Sequence, residues 1–327
     1  MSNWTANDMP YQAGRTFVVT GANSGLGYVM SLELARRGAH VIMTARNEIK
    51  GRAAVARIQS AIPDASLDLR LLDLADLDEV KAFAARLLTE NTPIDVLVNN
   101  AGIMMPPRSL TRQGFELQFG VNHLAHFALT GLLLERLKQG QDPRVVTISS
   151  DLHKRGSIYF DDLDGSKNYR RVAFYAQSKF ANALFALELH RRLQSCGLPI
   201  RSLLAHPGYS ATNLQLSGPT GILKLFMRIG NRFMAQSVEM GALNQLHAAT
   251  AEKAESGQFI GPDGKNELKG YPTVVLPVAA AQDAVLARRL WLLSEELTGV
   301  RPNLQPVGRD DVMTIADTAR MEGSSTW

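Results

Sequence analysis

The sequence predicts an α/β protein built on a doubly wound parallel sheet with helices on both faces. Three observations predict it. Short β-branched runs alternate with long helical patterns along the chain, which implies right-handed crossovers between parallel strands. A glycine turn joins the first strand to the first helix. Small and polar residues gather just after successive strands, the end at which such sheets bind ligands.

The first strand is TFVVT (16–20), and TGANSGLG (20–27) follows with Gly21, Gly25 and Gly27. Their G-x-x-x-G-x-G spacing departs from the G-x-G-x-x-G dinucleotide fingerprint, so context has to decide the reading. In the next run, LGYVMSLELARRG, Leu26, Val29, Met30, Leu32, Leu34 and Ala35 fall on a helical period, and Gly38 stands as a C-cap. A strand, a turn and a helix N-terminus bring backbone N–H groups and the positive end of a helix dipole to one spot, where a phosphate is stabilised. HVIMTA (40–45) then completes a β-α-β unit. Further strands are expected at 67–72, 94–98, 144–149, 199–205 and 257–260, and helices at 48–61, 76–90, 115–138, 174–195 and 281–297. No repeat or linker divides the chain. Residues 1–327 are expected to form a single domain, with a substrate lid at about 209–250 and a C-terminal extension at about 301–327.

Composition narrows the class. Of the 327 residues, 45% are hydrophobic and 20% charged, which is ordinary for a soluble globular protein. The net charge of +4 is spread through the helices without a basic run, which suits an anionic cofactor better than nucleic acid. The only cysteine, Cys196, makes no internal disulfide, and no apolar stretch is long enough for a membrane span. A cytoplasmic protein is expected.

The strand ends carry the chemistry. Quoted as they stand, they offer T-G-A-N-S-G-L-G at 20–27, D-L at 73–74, N-N-A-G at 99–102, Asn122, Ser150, Y-A-Q-S-K at 175–179 and P-G at 207–208. In this order, over roughly residues 14 to 300, the chain resembles the short-chain dehydrogenase/reductase family. The resemblance implies a Rossmann-type fold. The loop 151–171 and VNHLAHFALT (121–130) are similar to the retinol-dehydrogenase-like branch and to its relative, light-dependent protochlorophyllide reductase.

Tyr175 and Lys179 are one helical turn apart and share a face. An ammonium there favours the phenolate, and is expected to pull the tyrosine from about 10 toward the working range for exchanging a proton with an alcohol or carbonyl oxygen. Ser150 is expected to hydrogen-bond that oxygen. Ser149 precedes it, and the residues alone separate the two poorly; the resemblance favours the second of the pair. It also implies that Asn122 supports a water relay to the lysine. The resemblance further implies that NADP(H) is held by Gly21, Asn23, Ser24, Gly25, Leu26, Gly27, Asp73, Leu74, Asn100, Ala101, Gly102, Tyr175, Lys179, Pro207, Gly208 and Thr212. His123, His126, His153 and His206 lack the spacing of a helical zinc site, and no metal is expected.

Cofactor choice belongs to the end of the second strand, where an acid would bond both ribose hydroxyls of NAD. Here Ala45 stands in that place, followed by Arg46, whose guanidinium suits a 2′-phosphate. The expected activity is NADP(H)-dependent interconversion of a lipophilic alcohol, such as a retinoid or steroid, with its aldehyde or ketone. The rivals are a C=C reductase and a non-catalytic NADP-binding protein. ILKLFMRIGNRFM (222–234) sets Lys224, Arg228 and Arg232 on one face, which fits either a solvated face or weak peripheral contact with a membrane. A homo-oligomer is compatible with the resemblance.

Overall fold

In the computed structural model, residues 3–91, 93–209 and 236–304 are described. Among them, β1 (Thr16–Val19), β2 (His40–Ala45), β3 (Leu67–Leu71), β4 (Val96–Asn99), β5 (Arg144–Ile148), β6 (Arg201–Ala205), β7 (Phe259–Pro262) and β8 (Pro272–Val275) form one sheet. Their spatial order is β3-β2-β1-β4-β5-β6-β7-β8. The neighbours from β3 to β7 are parallel, and β8 is antiparallel to β7. The chain leaves β1 in one direction and returns on its other side as β4, so a crevice opens between those two strands at their carboxyl ends.

The central strands are buried on both faces, as their near-continuous apolar runs require. Alternation still sorts their side chains. Phe17, Val19, Val96, Val98, Val146 and Ile148 face one layer, with Met30 and Leu34 of α1 (Gly25–Arg36) and Ala54 and Ile58 of α2 (Glu48–Ala61). Val18, Leu97 and Val145 face the other layer, with Val80 and Phe83 of α3 (Leu77–Thr89). That second layer also holds Phe127 and Leu133, from the helix that follows β4, and Phe185 and Leu189, from the helix that follows β5.

The helix expected at 115–138 is one continuous run broken in its winding. A single turn, α4 (Leu117–Phe119), passes into a π turn at Gly120–Leu124 and then into α5 (Ala125–Leu137). The π turn places Asn122 inside the bend, a distortion that recurs at functional sites. The next helix, α6 (Arg171–Ser195), begins a little ahead of its expected start.

Two elements were not expected. Residues Val238–Thr250 form α7, which packs on α1 and buries Ala242, Leu246 and Ala248 in the core. The C-terminal part of the segment expected as a lid is therefore a structural helix, capped by Ser237 Oγ accepting from Met240 N. The edge strand β8 is the second, and it adds an antiparallel rim to a sheet expected to be wholly parallel. The late helix is α8 (Ala284–Thr298), ended by Gly299 in the left-handed region. No helix among the described residues is long and apolar enough to cross a membrane. The basic stretch 222–234, the rest of the expected lid from 210 to 235, and the extension from 305 onward lie outside the described residues.

Candidate active site

The crevice is organised around one hydroxyl. Thr20, at the end of β1, accepts at Oγ1 from the backbone N–H groups of Asn100 and Ala101, each at 2.9 Å. Asn100 Nδ2 returns a bond to the Thr20 carbonyl at 2.6 Å. These bonds join the glycine turn to N-N-A-G across the seam between β1 and β4. Gly21 sits at φ +65°, where a side chain is strained, and a Cβ there would stand 3.0 Å from Ala101. At Gly27 a Cβ would meet Asn100 Nδ2 at 2.5 Å and the Gly21 carbonyl at 2.6 Å, so α1 rests directly on the turn.

Ser24 is the N-cap of α1, yet its hydroxyl makes no capping bond, in contrast to Asn47 on α2 and Asp76 on α3. The first-turn N–H groups at Gly25, Leu26 and Gly27 thus keep their capacity for an anion. The turn therefore fits a dinucleotide pyrophosphate. Gly21, Asn23, Arg46, Asp73, Leu74, Ala101 and Gly102 line one open cleft beside it. Arg46 is exposed at the rim and Ala45 is buried behind it. Asp73 spends Oδ1 on the Ala75 N–H at 2.9 Å, which shapes the loop after β3.

The residues expected to do chemistry meet at the next strand ends. Tyr175 and Lys179 are buried on α6, and the Lys179 ammonium donates to the Ile148 carbonyl at 3.0 Å. Asn122 is buried too. Its Oδ1 accepts from Ile103 N at 2.8 Å, and its Nδ2 donates to the Ser178 hydroxyl at 2.9 Å. Gly102 lies between them, since a Cβ there would be 3.2 Å from Asn122 Oδ1 and 3.5 Å from Lys179 Nζ. The two serines differ. Ser149 Oγ donates to the Lys179 carbonyl at 2.8 Å and so pins α6 to β5. Ser150 caps the short turn Asp151–Arg155 and interacts with the Tyr175 phenol.

Burial governs both titrating groups. The Tyr175 phenol is pushed up to about 12 by desolvation, with the Ser150 side chain acting the other way. The Lys179 ammonium is pushed down to about 8 by the same cause. The expected lowering of the tyrosine by its lysine is not found. The ammonium is directed at a carbonyl and stands 5.8 Å from the ring centre, so desolvation dominates.

Beyond β6, His206 leads into Pro207 and Gly208. Gly208 takes φ +63°, and a Cβ there would meet the Leu268 carbonyl at 2.5 Å. Thr212 lies outside the described residues. Each of the four histidines weighed as metal ligands has another occupation. His123 meets the Ser294 hydroxyl at 2.9 Å, and His126 lies between Thr20 and Asn122. His153 bonds the Ser150 carbonyl at 2.8 Å, and His206 Nε2 lies 3.1 Å from Glu267 Oε2. Glu267 is also held by Lys154 at 3.0 Å, so the loops after β5 and β6 share one carboxylate. Thr20 and Ser178 lie inside the quoted T-G-A-N-S-G-L-G and Y-A-Q-S-K stretches, which do not by themselves mark these roles, and Glu267 lies in none.

The model of the short chain dehydrogenase family matches residues 15–219, which include the turn, Asn122, Ser150, Tyr175 and Lys179. The chain belongs to that family. Retinol dehydrogenase 12 of Mus musculus is 40% identical over 290 residues, covering 88% of this chain and 87% of the relative. A crystal structure of an uncharacterized protein from Mycobacterium paratuberculosis is 44% identical, with a TM-score of 0.75, covering 93% of this chain and all of that one. A Beutenbergia cavernae protein assigned as an NAD(P)-dependent gluconate 5-dehydrogenase, solved with NADP bound, is 28% identical with a TM-score of 0.60. It covers 76% of this chain and 96% of that one. As a member of the family, the chain is a nicotinamide-dependent oxidoreductase.

Proposed function

We propose that this short-chain dehydrogenase uses NADP(H) to interconvert a lipophilic alcohol, of the retinoid or steroid kind, with its aldehyde or ketone. The observation that carries this reading is the surroundings of the phenol. Tyr175 packs with Met104 and Met105, and Leu152 lies against the same cluster. A proton donor set in an apolar wall rewards a substrate with much apolar area beside its oxygen. The similarity to a retinol dehydrogenase supports the same substrate class.

In carbonyl reduction, Tyr175 gives its proton to the substrate oxygen, and a phenol held near 12 carries that proton throughout the neutral range. Ser150 donates a hydrogen bond to the same oxygen as charge develops there. Lys179 and Asn122 stand behind the tyrosine, where the ammonium balances negative charge on the phenol oxygen. The bound nicotinamide supplies or accepts the hydride. Gly21, Asn23, Ser24, Gly25, Leu26 and Gly27 would hold its pyrophosphate, Asp73, Leu74, Ala101 and Gly102 would line the same cleft with Asn100 beside them, and Pro207 and Gly208 would shape the loop beside the nicotinamide. Arg46 binds the 2′-phosphate.

The test is turnover by the purified chain with NADPH and with NADH, offered retinal, steroid ketones and aliphatic aldehydes. Oxidation of NADPH coupled to alcohol formation is the expected result. A product reduced at C=C with the carbonyl intact, or dinucleotide binding without turnover on any of these, would overturn the reading.

A further inference from the structure

His126 is not required by the chemistry above, and its buried ring spans the seam between cofactor turn and catalytic residues. Its Nε2 lies 2.9 Å from Thr20 Oγ1 and its Nδ1 lies 3.1 Å from the Asn122 carbonyl. Which nitrogen carries the proton follows from counting. A hydroxyl oxygen has two lone pairs, and those of Thr20 face the N–H groups of Ala101 and Asn100, the latter shared with the Val98 carbonyl at 2.9 Å. With two N–H groups aimed at its oxygen, Thr20 is left to donate; the Val98 carbonyl, at 3.2 Å, already accepts from the N–H groups of Thr20 and Asn100, which leaves His126 Nε2 at 2.9 Å as the better acceptor. The ring nitrogen facing it must be bare. The proton then sits on Nδ1, where it is donated to the Asn122 carbonyl.

We propose that His126, locked as the neutral Nδ1–H tautomer, is a positioning residue that ties the Asn122 backbone to the dinucleotide-binding turn. The bonds run in one direction, from the amides of the N-N-A-G loop through Thr20 and the imidazole to Asn122. Reversing the ring would set a third N–H against an oxygen already facing two. Adding a second proton would do the same. Burial favours the neutral ring and Lys179 on α6 acts the same way, against the bond to the Asn122 carbonyl; His123 on the same helical run is itself pushed down to about 3 by burial and stays neutral. The Asn122 carbonyl sits in the π turn, and its side chain holds Ile103 and Ser178. The Ser178 hydroxyl donates in turn to the Tyr175 carbonyl at 2.8 Å. The imidazole thus fixes the bend from which both Asn122 contacts are aimed.

Two measurements test this, and only the second rests on the proposed activity. The first is nitrogen NMR of the full chain labelled at histidine, with the His126 signals identified by their loss in His126→Asn. A bare Nε2 and a protonated Nδ1, unchanged from about pH 5 to 8, are expected. An Nε2–H ring, or protonation near the usual imidazole value, overturns the proposal. The second is kinetic. In His126→Asn the amide nitrogen can stand near the place of Nδ1, and kcat should stay within about threefold of wild type. In His126→Phe no donor remains, and kcat should fall about 10²-fold while the Kd for NADPH moves less than about threefold. Equal kcat in the Phe and Asn variants, or parallel loss of kcat and NADPH binding, also overturns it. A wild-type chain without turnover would sink the proposed activity and leave the NMR result standing.

Discussion

The Lys179 ammonium donates to the Ile148 carbonyl at 3.0 Å, while its nitrogen stands 5.8 Å from the centre of the Tyr175 ring. Both groups are enclosed, and the lysine releases its proton near 8. Below that value folded and unfolded chains both carry it. Between about 8 and the unfolded value near 10.4, the unfolded chain binds more protons, so this lysine's contribution to stability rises with pH. Urea unfolding of wild type and Lys179→Met should show a difference that grows in favour of wild type across that window, by up to roughly 3 kcal/mol. A constant difference would return the lysine to its ordinary value.

Tyr175→Phe removes only a hydroxyl from a ring packed against Met104 and Met105. Turnover should fall by about 10²- to 10⁴-fold, the range for loss of a positioned acid or base. Equilibrium titration should find NADPH binding retained. Turnover close to wild type would move the proton donor elsewhere.

The adjacent serines should separate by the kind of damage done. Ser150→Ala takes the hydroxyl that interacts with the phenol, and should lower kcat by about 10²-fold with little change in melting temperature. Ser149→Ala leaves the buried Lys179 carbonyl short of a partner. The carbonyl keeps its place in the helix ladder, so the loss of this one bond should cost about 0.5–1.5 kcal/mol of stability, read by denaturant unfolding. The reverse pattern would exchange their roles.

Arg46 at the rim of the cleft, next to buried Ala45, should give at least about tenfold preference for NADPH over NADH in kcat/KM, near 1.4 kcal/mol. Ala45→Asp with Arg46→Ala should shift that preference toward NADH. Added salt should weaken NADPH binding more than NADH binding, because only the former carries the extra exposed ion pair. A wild-type preference for NADH would remove Arg46 from the site.

The parallel core was legible because β1, β2 and β4 to β6 are largely buried on both faces and therefore read as near-continuous apolar runs. The glycine turn was legible from the elements beside it, not from its own spacing. The bend at Gly120–Leu124 was not, since helical spacing runs through Leu117, Val121, Leu124 and Ala128 without showing where the winding changes. Helix α7 is rich in alanine and carries Asn244 and Gln245 among its buried residues, which blurs its apolar face. The pairing of Tyr175 with Lys179 could be read from spacing, yet their proton affinities could not. Those depend on how completely the surrounding elements exclude water, and spacing carries no information on that. Choosing Ser150 over Ser149 rested on resemblance, and the spacing gave no sign that Ser149 is spent on the Lys179 carbonyl.

The bonds that gather at Thr20 have a kinetic meaning as well. They join residues 80, 81 and 106 positions apart in the chain. Closing loops of that length costs entropy before any contact repays it, so this junction belongs to the slow part of folding. During synthesis, the glycine turn emerges long before the strand and helix that complete it. A dinucleotide therefore has nothing finished to bind until α5 has docked, and from then on it holds the native form against reopening in proportion to its concentration. Cells short of the nucleotide would be expected to contain a less durable protein as well as a less active one.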